Sequence, residues 1–253
     1  MTALQPIIQK SFNGAVWRMD IDEVTATLAL EIRNEADRTT SFAAINLPHA
    51  KTNFENYTMH ERWLTGMETA HNGVLLLHYF QSESTPVHKG ITAIDVEKGT
   101  ELWSNFSLAY DHLSNSGPVL FNTQLLPKKL YVHDITTGKS IKPYNQITDS
   151  ELIKQIEVPQ YLPPLQLPFP LQHLEPAGGL IHYIEHNGYR IVSLHTRNDG
   201  VLQQWLFVLN NDRICYEELL MTGIQKLQPE AFVLHKNWLI CLKNRTELLV
   251  LEL

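Results

Sequence analysis

The sequence predicts an all-β protein built from a repeated unit of strands. Three observations support this prediction: short apolar runs recur, turns rich in Gly, Asn or Asp separate them, and equivalent runs have regular spacing. In the clearest unit, Gly73 to Phe106, strand-like runs at 74–80 and 91–96 are followed by a turn at 97–99 and another strand. No window of comparable length shows convincing helical periodicity, except 149–158.

One strand of the unit occurs in five copies that can be aligned by their turn residues. Each copy is apolar, and most end at an Asp or Asn followed by a turn and a further strand. The copies begin at Phe42, Ile91, Leu130, Trp205 and Leu248, with spacings of 49, 39, 75 and 43 residues. Four-stranded propeller blades take about 40 to 50 residues. We therefore predict a β-propeller of five blades, with six as the alternative if the longest gap holds another blade.

The strand that precedes each copy is also bounded by recurring turn residues. Asn next to Gly favours the tight turns whose twist matches a β-hairpin. These turns are predicted to join the first and second strands of their blades, at His71-Asn72-Gly73, Ser116-Gly117, His186-Asn187-Gly188 and His235-Lys236-Asn237.

The longest gap contains a Pro-rich insertion at about 146–178, within a single propeller domain that covers residues 1–253. Proline cannot donate to a central ladder, so this density of prolines argues against another blade. The prolines of this stretch are Pro159, Pro163, Pro164, Pro168, Pro170 and Pro176. We expect an extended strap packed over the propeller. A lid over the channel mouth and an exposed docking segment are the alternatives.

The N-terminal segment is predicted to complete the last blade. The final strand copy ends the sequence without a fourth strand, and residues 13–20 resemble the fourth-strand segment 98–105. An N-terminal strand in this position would close the ring and remove exposed sheet edges. Deletion of residues 1–22 is therefore expected to be severely destabilising.

The segment Ile91 to Trp103, ITAIDVEKGTELW, resembles the repeat of quinoprotein-type (PQQ-like) propellers, in which an Asp-x-x-x-Gly-x-x-x-Trp stretch closes each blade. The segment Leu130 to Ile141 resembles it without the Trp. The resemblance implies how blades pack, and it suggests an uncharacterised bacterial propeller-like family. Quinone-binding members have eight blades, a calcium ion and often a disulfide between adjacent cysteines. This chain is too short for eight blades and has no adjacent cysteines, so we predict no cofactor.

Composition limits the partners. The net charge is −7 without a cluster of Lys and Arg, which argues against nucleic acid. No run of about 18 apolar residues predicts a membrane span, and the first residues do not resemble a signal peptide, so we expect a cytoplasmic protein. Cys215 and Cys241 lie in apolar strand-like segments and are expected to be small buried side chains.

No metal site is predicted, although the chain has 12 histidines. His-x-His, His-Glu-x-x-His and Cys-x-x-Cys spacings are absent from the sequence. Histidines inside predicted strands are interpreted as packed side chains: His78, His133, His182 and His195.

Loops that a propeller places around its channel mouth are the candidates for ligand binding. The predicted ligand-binding residues in such loops are His60, Arg62, Asp111, His112 and Asp22. Neighbouring charged residues assigned to the same loops are Asp20, Glu23 and Glu61.

Two functions fit these observations. The absence of a nucleophile elbow and of a phosphate-binding loop favours a noncatalytic module that binds a protein or small-molecule partner. The alternative is a hydrolase or lyase for a carbohydrate-like substrate, with one carboxylate from residues 20–23 and a second from Asp111. That alternative requires both carboxylates to face one cavity.

Overall fold

The structure is a computed structural model that describes residues 3–228 and 231–253. It is all-β, and strands make up 58% of the chain. The chain divides into two compact units: a three-sheet unit of residues 13–154, and a two-sheet unit of residues 1–12 with 155–253. Within the described ranges, no helix has the length and apolar character that a membrane span requires.

The three-sheet unit consists of three successive antiparallel sheets of four strands each. The first strand of the chain, β1 (Ile8–Ser11), precedes this unit and belongs to the two-sheet unit. The first sheet contains β2 (Ala15–Asp22), β3 (Thr27–Asn34), β4 (Thr39–Asn46) and β5 (Lys51–Tyr57). The second contains β6 (Thr65–His71), β7 (Val74–Ser82), β8 (Thr85–Asp95) and β9 (Glu101–Asn105). The third contains β10 (Leu108–Ser114), β11 (Gly117–Asn122), β12 (Leu130–His133) and β13 (Ser140–Pro143).

The two-sheet unit combines a five-stranded sheet with a four-stranded one. The five-stranded sheet contains β14 (Gln160–Leu162), β15 (Ile181–His186), β16 (Tyr189–Asn198), β17 (Val201–Asn210) and β18 (Arg213–Thr222). Two short 3-10 helices lie between its first two strands, at Pro164–Gln166 and Phe169–Leu171. The four-stranded sheet contains β19 (Phe232–His235), β20 (Trp238–Lys243) and β21 (Glu247–Glu252), and β1 pairs with β21 at its edge.

The predicted strand copies and hairpins are confirmed. The five copies are β4, β8, β12, β17 and β21, and each lies beside an edge strand of its sheet. The predicted turns join β6 to β7, β10 to β11, β15 to β16 and β19 to β20. Asn72 and Gly73 both have positive φ, at 48° and 79°, as this kind of two-residue hairpin turn requires.

The second sheet is buried on both faces, which explains the unbroken apolar run at the start of β7. Leu75 and Leu77 pack in a cluster with residues of the first sheet, such as Phe42. Val74 and Leu76 point the other way and pack with residues of the third sheet. Because successive side chains of a strand point to opposite faces, a strand between two cores must be apolar at every position.

The Asp residues of the repeat cap their own turns, and its Gly and Trp residues connect neighbouring sheets. The Trp103 indole donates a hydrogen bond to the Ile135 carbonyl (2.8 Å), and its ring covers Gly138. A Cβ atom at Gly138 would lie 2.6 Å from the indole, so only glycine fits there. Phe54 covers Gly99 in the same way, one sheet earlier. The repeat is therefore a contact between an aromatic ring on one sheet and a turn glycine on the next.

An N-terminal strand pairs with the last sheet, as predicted, but the residues assigned to that strand were wrong. Residues 13–20 do not pair with the last sheet, because Ala15–Asp22 forms the first strand of the first sheet. Ile8–Ser11 pairs with β21 instead, with Ile8 opposite Val250 and Ser11 opposite Glu247. The resemblance of residues 13–20 to a fourth strand lies in Gly14 and Trp17. Gly14 precedes β2 and lies close to the Arg33 backbone, and the Trp17 ring lies 5.1 Å from the Arg33 guanidinium. The helical periodicity at 149–158 does not produce a helix either.

The Pro-rich segment packs on its own sheet. Gln160–Leu162 adds a short strand beside β15, and Leu167 and Leu171 are buried against side chains of the five-stranded sheet. Leu165 and Phe169 point away from this core and are 95% and 77% exposed. The segment therefore directs Leu167 and Leu171 to the core and Leu165 and Phe169 to the surface.

We expect Ile8→Ala to lower the free energy of unfolding by about 2–4 kcal/mol, because a buried isoleucine in the edge strand is truncated. The adjacent Ile7 is 38% exposed, and Ile7→Ala should change that free energy by no more than about 0.5 kcal/mol. Urea unfolding of both variants measures the difference. Equal effects would contradict the observed register of β1.

Candidate functional site

Asp22 is a buried structural carboxylate at the end of β2. Its Oδ1 accepts hydrogen bonds from the amides of Val24 and Asn72 (both 3.0 Å). Its Oδ2 accepts from the Thr25 hydroxyl (2.7 Å) and the Gly73 amide (2.6 Å). These four donors occupy the acceptor positions of a carboxylate. Asp22 thus joins the first sheet to the hairpin turn of the second.

Asp20 is held in a similar way. Its Oδ2 accepts from the Lys154 ammonium (2.5 Å), the Ala70 amide (2.7 Å) and the Thr69 hydroxyl (3.0 Å). Its Oδ1 accepts from the Ile21 amide (2.9 Å). Asp20 and Asp22 therefore lie in β2 with their oxygens engaged, and not in a mobile mouth loop.

Asp111 and His112 are adjacent on β10, also within a strand. Asp111 Oδ1 lies 2.8 Å from His112 Nδ1, and its Oδ2 accepts from the Lys128 ammonium at 2.5 Å. Partial burial works to raise the pKa of Asp111, but the hydrogen bonds from Lys128 and His112 outweigh it and lower the pKa below its usual range. The pair is half-exposed, and its carboxylate stays ionised at neutral pH.

His60 and Arg62 lie in the exposed connection between β5 and β6, as the sequence suggested. The Arg62 carbonyl accepts from the Thr40 amide (2.5 Å), which anchors this loop to β4. Between them, Glu61 accepts from the Trp63 and Leu64 amides, and these bonds lower the pKa of its carboxyl. The structure thus brings Asp111 and His112 into contact and places His60 and Arg62 in one loop. Asp22 contacts neither pair.

A cleft of about 560 Å³ lies at the turn end of the first two sheets of the three-sheet unit. Val74 and Leu102 provide apolar edges. Most of its lining is polar, including Asn46, His49, Lys51, Asn72, Asp95 and Thr136. This volume is within the usual range for a small-molecule site.

A cluster of one carboxylate and two imidazoles lies in the second sheet, on three neighbouring strands. Glu68 Oε1 is 3.0 Å from His78 Nδ1 and 2.7 Å from His88 Nδ1. The two imidazole rings stack with centroids 3.6 Å apart and planes 8° apart. One ligand atom from each residue lies within 4.8 Å of the others, so together they could hold a metal ion.

Two β-bulges and a glycine create this arrangement. Glu68 is the extra residue of a bulge in β6, since Met67 pairs with Leu77 and Thr69 with Leu76. A second bulge in β8 leaves Gly90 unpaired, with a φ of 71°. Bulges redirect side chains and often lie beside functional sites. They bring an acidic side chain and two imidazoles together on a sheet whose alternation would otherwise separate them.

Gly66 makes room for the His78 ring. A Cβ atom at Gly66 would lie 2.7 Å from His78 Cε1 and 2.8 Å from its Nε2. Phe80 contacts both imidazoles edge-on, with centroid distances of 4.6 Å to His78 and 5.0 Å to His88. The cluster is therefore closely packed on one side by backbone and on another by an aromatic ring.

Burial and the carboxylate decide the charges of the cluster. Burial works to raise the pKa of Glu68, but the 3.0 Å contact with His78 and the hydrogen bond with His88 outweigh it and lower the pKa to about 2. Burial also lowers the pKa of His78, although Glu68 opposes this. We therefore expect an ionised Glu68 beside a neutral His78 at neutral pH.

Sequence reasoning missed this cluster because it looked for ligands close together in the sequence. Glu68, His78 and His88 are ten residues apart, on three successive strands. The first strands of the three sheets carry equivalent bulges, at Trp17, Glu68 and Asp111. Aligning these strands would have drawn attention to Glu68, but the bulges themselves are not visible in the sequence.

The comparisons with known proteins do not assign a function. A family model described as "Domain of unknown function (DUF4905)" matches residues 21–103, less than half of the chain. No curated protein matches the sequence.

Three solved structures show distant likeness. The β-propeller domain of the Trilobed protease from Pyrococcus furiosus is 10% identical, with 94% of this chain and 79% of that chain covered and a TM-score of 0.34. A europium-containing methanol dehydrogenase is 12% identical, with 95% and 52% covered and a TM-score of 0.31. An exo-β-1,3-galactanase from Phanerochaete chrysosporium is 10% identical, with 96% and 64% covered and a TM-score of 0.30. The chain thus spans about half of the dehydrogenase and less than two thirds of the galactanase. Such low scores transfer no activity to this chain.

We expect Asp22→Ala to lower the free energy of unfolding by roughly 3 kcal/mol, because two amides of the β6–β7 turn lose their buried acceptor. Glu35→Ala, at an exposed turn of the first sheet, serves as the control and should change it by less than about 0.5 kcal/mol. Chemical unfolding measures both variants. A fully stable Asp22→Ala protein would show that this carboxylate is not a structural clamp.

Proposed function

We propose that the chain forms one five-bladed β-propeller that acts as a noncatalytic binding module. Five successive antiparallel sheets in chain order support the blade count. Strands from both ends of the chain share one sheet, β1 beside β21, and this pairing supports closure of the ring. The contact between Trp103 of the second sheet and the turn glycine Gly138 of the third, at positions that resemble the quinoprotein-type repeat, supports the same arrangement.

The engaged state of the predicted carboxylates supports a noncatalytic function. A general acid or base needs an oxygen within reach of the substrate. Asp20 and Asp22 direct their oxygens to four donors each, and Asp111 is paired with Lys128 and His112. The hydrolase or lyase alternative would have to break these contacts before catalysis.

We propose that the cleft at the turn end of the first two sheets binds a small hydroxylated ligand, such as a neutral sugar. The observation that carries this proposal is its lining, in which amide, hydroxyl, ammonium and imidazole groups surround a volume of about 560 Å³. Such groups donate to and accept from hydroxyls, while the exposed Leu102 can pack against the C–H face of a sugar ring.

A thermal-shift series with glucose, galactose and their disaccharides tests this proposal. A sugar at about 100 times its dissociation constant should raise the melting temperature by about 5–10 °C. Lys51→Ala removes a donor from the cleft and should reduce the shift. Lys129→Ala, an exposed lysine outside the cleft lining, is the matched control and should keep the full shift.

Two outcomes would count against this function. If no sugar shifts the melting temperature, the proposed ligand class is wrong, and a protein partner becomes the leading alternative. If the purified protein hydrolyses nitrophenyl glycosides and Asp111→Asn abolishes that turnover, the noncatalytic proposal is wrong and the hydrolase alternative holds.

A further inference from the structure

We propose that Glu68, His78 and His88 form a binding site for a divalent transition-metal ion of the zinc class. This site is separate from the cleft, and its existence does not depend on the function proposed above. Two imidazoles with one carboxylate are donors that Zn²⁺, Co²⁺ and Fe²⁺ all accept. A hard ion such as Ca²⁺ would require more oxygen ligands.

The separations of the donor atoms fit an ion of this size. Metal–ligand bonds of about 2.0–2.2 Å place neighbouring ligand atoms roughly 2.8–3.1 Å apart in octahedral geometry and roughly 3.3–3.6 Å apart in tetrahedral geometry. Glu68 Oε1 already lies 3.0 Å from His78 Nδ1 and 2.7 Å from His88 Nδ1. An ion could therefore enter after shifts of a few tenths of an ångström at the carboxylate.

The imidazole rings must move further than the carboxylate. The stacked rings lie in nearly parallel planes, so the in-plane lone pairs of their nitrogens cannot converge on one point. Binding therefore requires one ring to turn. His88 is suited to this movement because its side chain is 31% exposed, whereas that of His78 is 3% exposed and confined by Gly66.

The environment of His78 provides independent support. Neither nitrogen of this buried ring has a hydrogen-bond partner among the described residues, because the approach to Glu68 lacks hydrogen-bond geometry. Buried polar groups are almost always paired, and an unpaired one is unfavourable. A metal ion bound at Nδ1 would satisfy the atom that faces Glu68.

The surroundings of the cluster are also those of a prepared metal site. The Arg18 guanidinium donates to the carbonyls of Met67 (2.5 Å) and Glu68 (2.9 Å), which fixes the bulge that carries the carboxylate. The buried Glu31 supports the same bulge, because its Oε2 accepts a hydrogen bond from the Met67 amide (2.8 Å).

The site has three protein ligands and one open side. A structural zinc site normally has four protein ligands, whereas three leave a coordination position for water or another small ligand. His88 lies on that open side because it is the most exposed of the three side chains. We therefore infer an exchangeable ion that is reached from solvent past His88.

Cobalt titration of the chelator-treated, full-length protein tests the proposal. We expect Co²⁺ to bind with a stoichiometry of one and to produce visible d–d absorption, and Zn²⁺ to displace it. His88→Ala should weaken Co²⁺ binding at least tenfold, because it removes a ligand at the accessible side of the site. His60→Ala, an exposed histidine outside the cluster, is the matched control and should bind as the wild type does.

Glu68→Gln provides a second variant that retains the side-chain volume and removes the charge. It should also bind Co²⁺ at least tenfold more weakly, with circular dichroism showing an intact fold. Absence of a cobalt spectrum in the wild type would overturn the proposal. Equal binding by wild type, His88→Ala and Glu68→Gln would overturn it too. Lys51→Ala should bind cobalt normally, so the tests of the cleft and of the metal site can fail independently.

Discussion

Burial of the second sheet on both faces is the constraint on which the rest of the three-sheet unit depends. Side chains of β7 pack alternately against the first and third sheets. Neither face of the second sheet is therefore open to solvent along most of β7. Any polar residue there must find a partner inside the protein. The cluster around Glu68 is one response to this requirement, and Asp22 of the first sheet, which accepts from two amides of the β6–β7 turn, is another.

These two responses differ in their chemistry. Asp22 is saturated by four donors, and it links the strands that hold it. His78 is equally buried, but its nitrogens lack hydrogen-bond partners among the described residues, and the nearest group is an ionised carboxylate. A saturated group stabilises the fold and has little capacity to bind anything else. The unsaturated imidazole of His78 lies beside two further metal ligands and has that capacity. The metal site is therefore proposed at Glu68, His78 and His88, and not at Asp22.

Much of the fold could be predicted from the sequence because its signals are local and repeated. Apolar runs and Asn-Gly turns specified β6, β7 and their equivalents directly. The edge strand β1 was misplaced because it is four residues long and only Ile8 is buried, which leaves little pattern to detect. The candidate site was missed for a different reason. Bulges at Glu68 and Gly90 bring distant residues together, and a bulge depends on the pairing of strands and not on the composition of either one.

The most direct test of the account is X-ray diffraction from zinc-soaked crystals, with data collected on both sides of the zinc absorption edge. We predict an anomalous peak between Glu68, His78 and His88, within about 2.0–2.2 Å of one atom from each. The His88 ring should be turned away from its stacked position on His78. Zinc bound elsewhere, with this cluster still stacked and free of anomalous density, would contradict the conclusion that the buried polar group of the second sheet is a metal site.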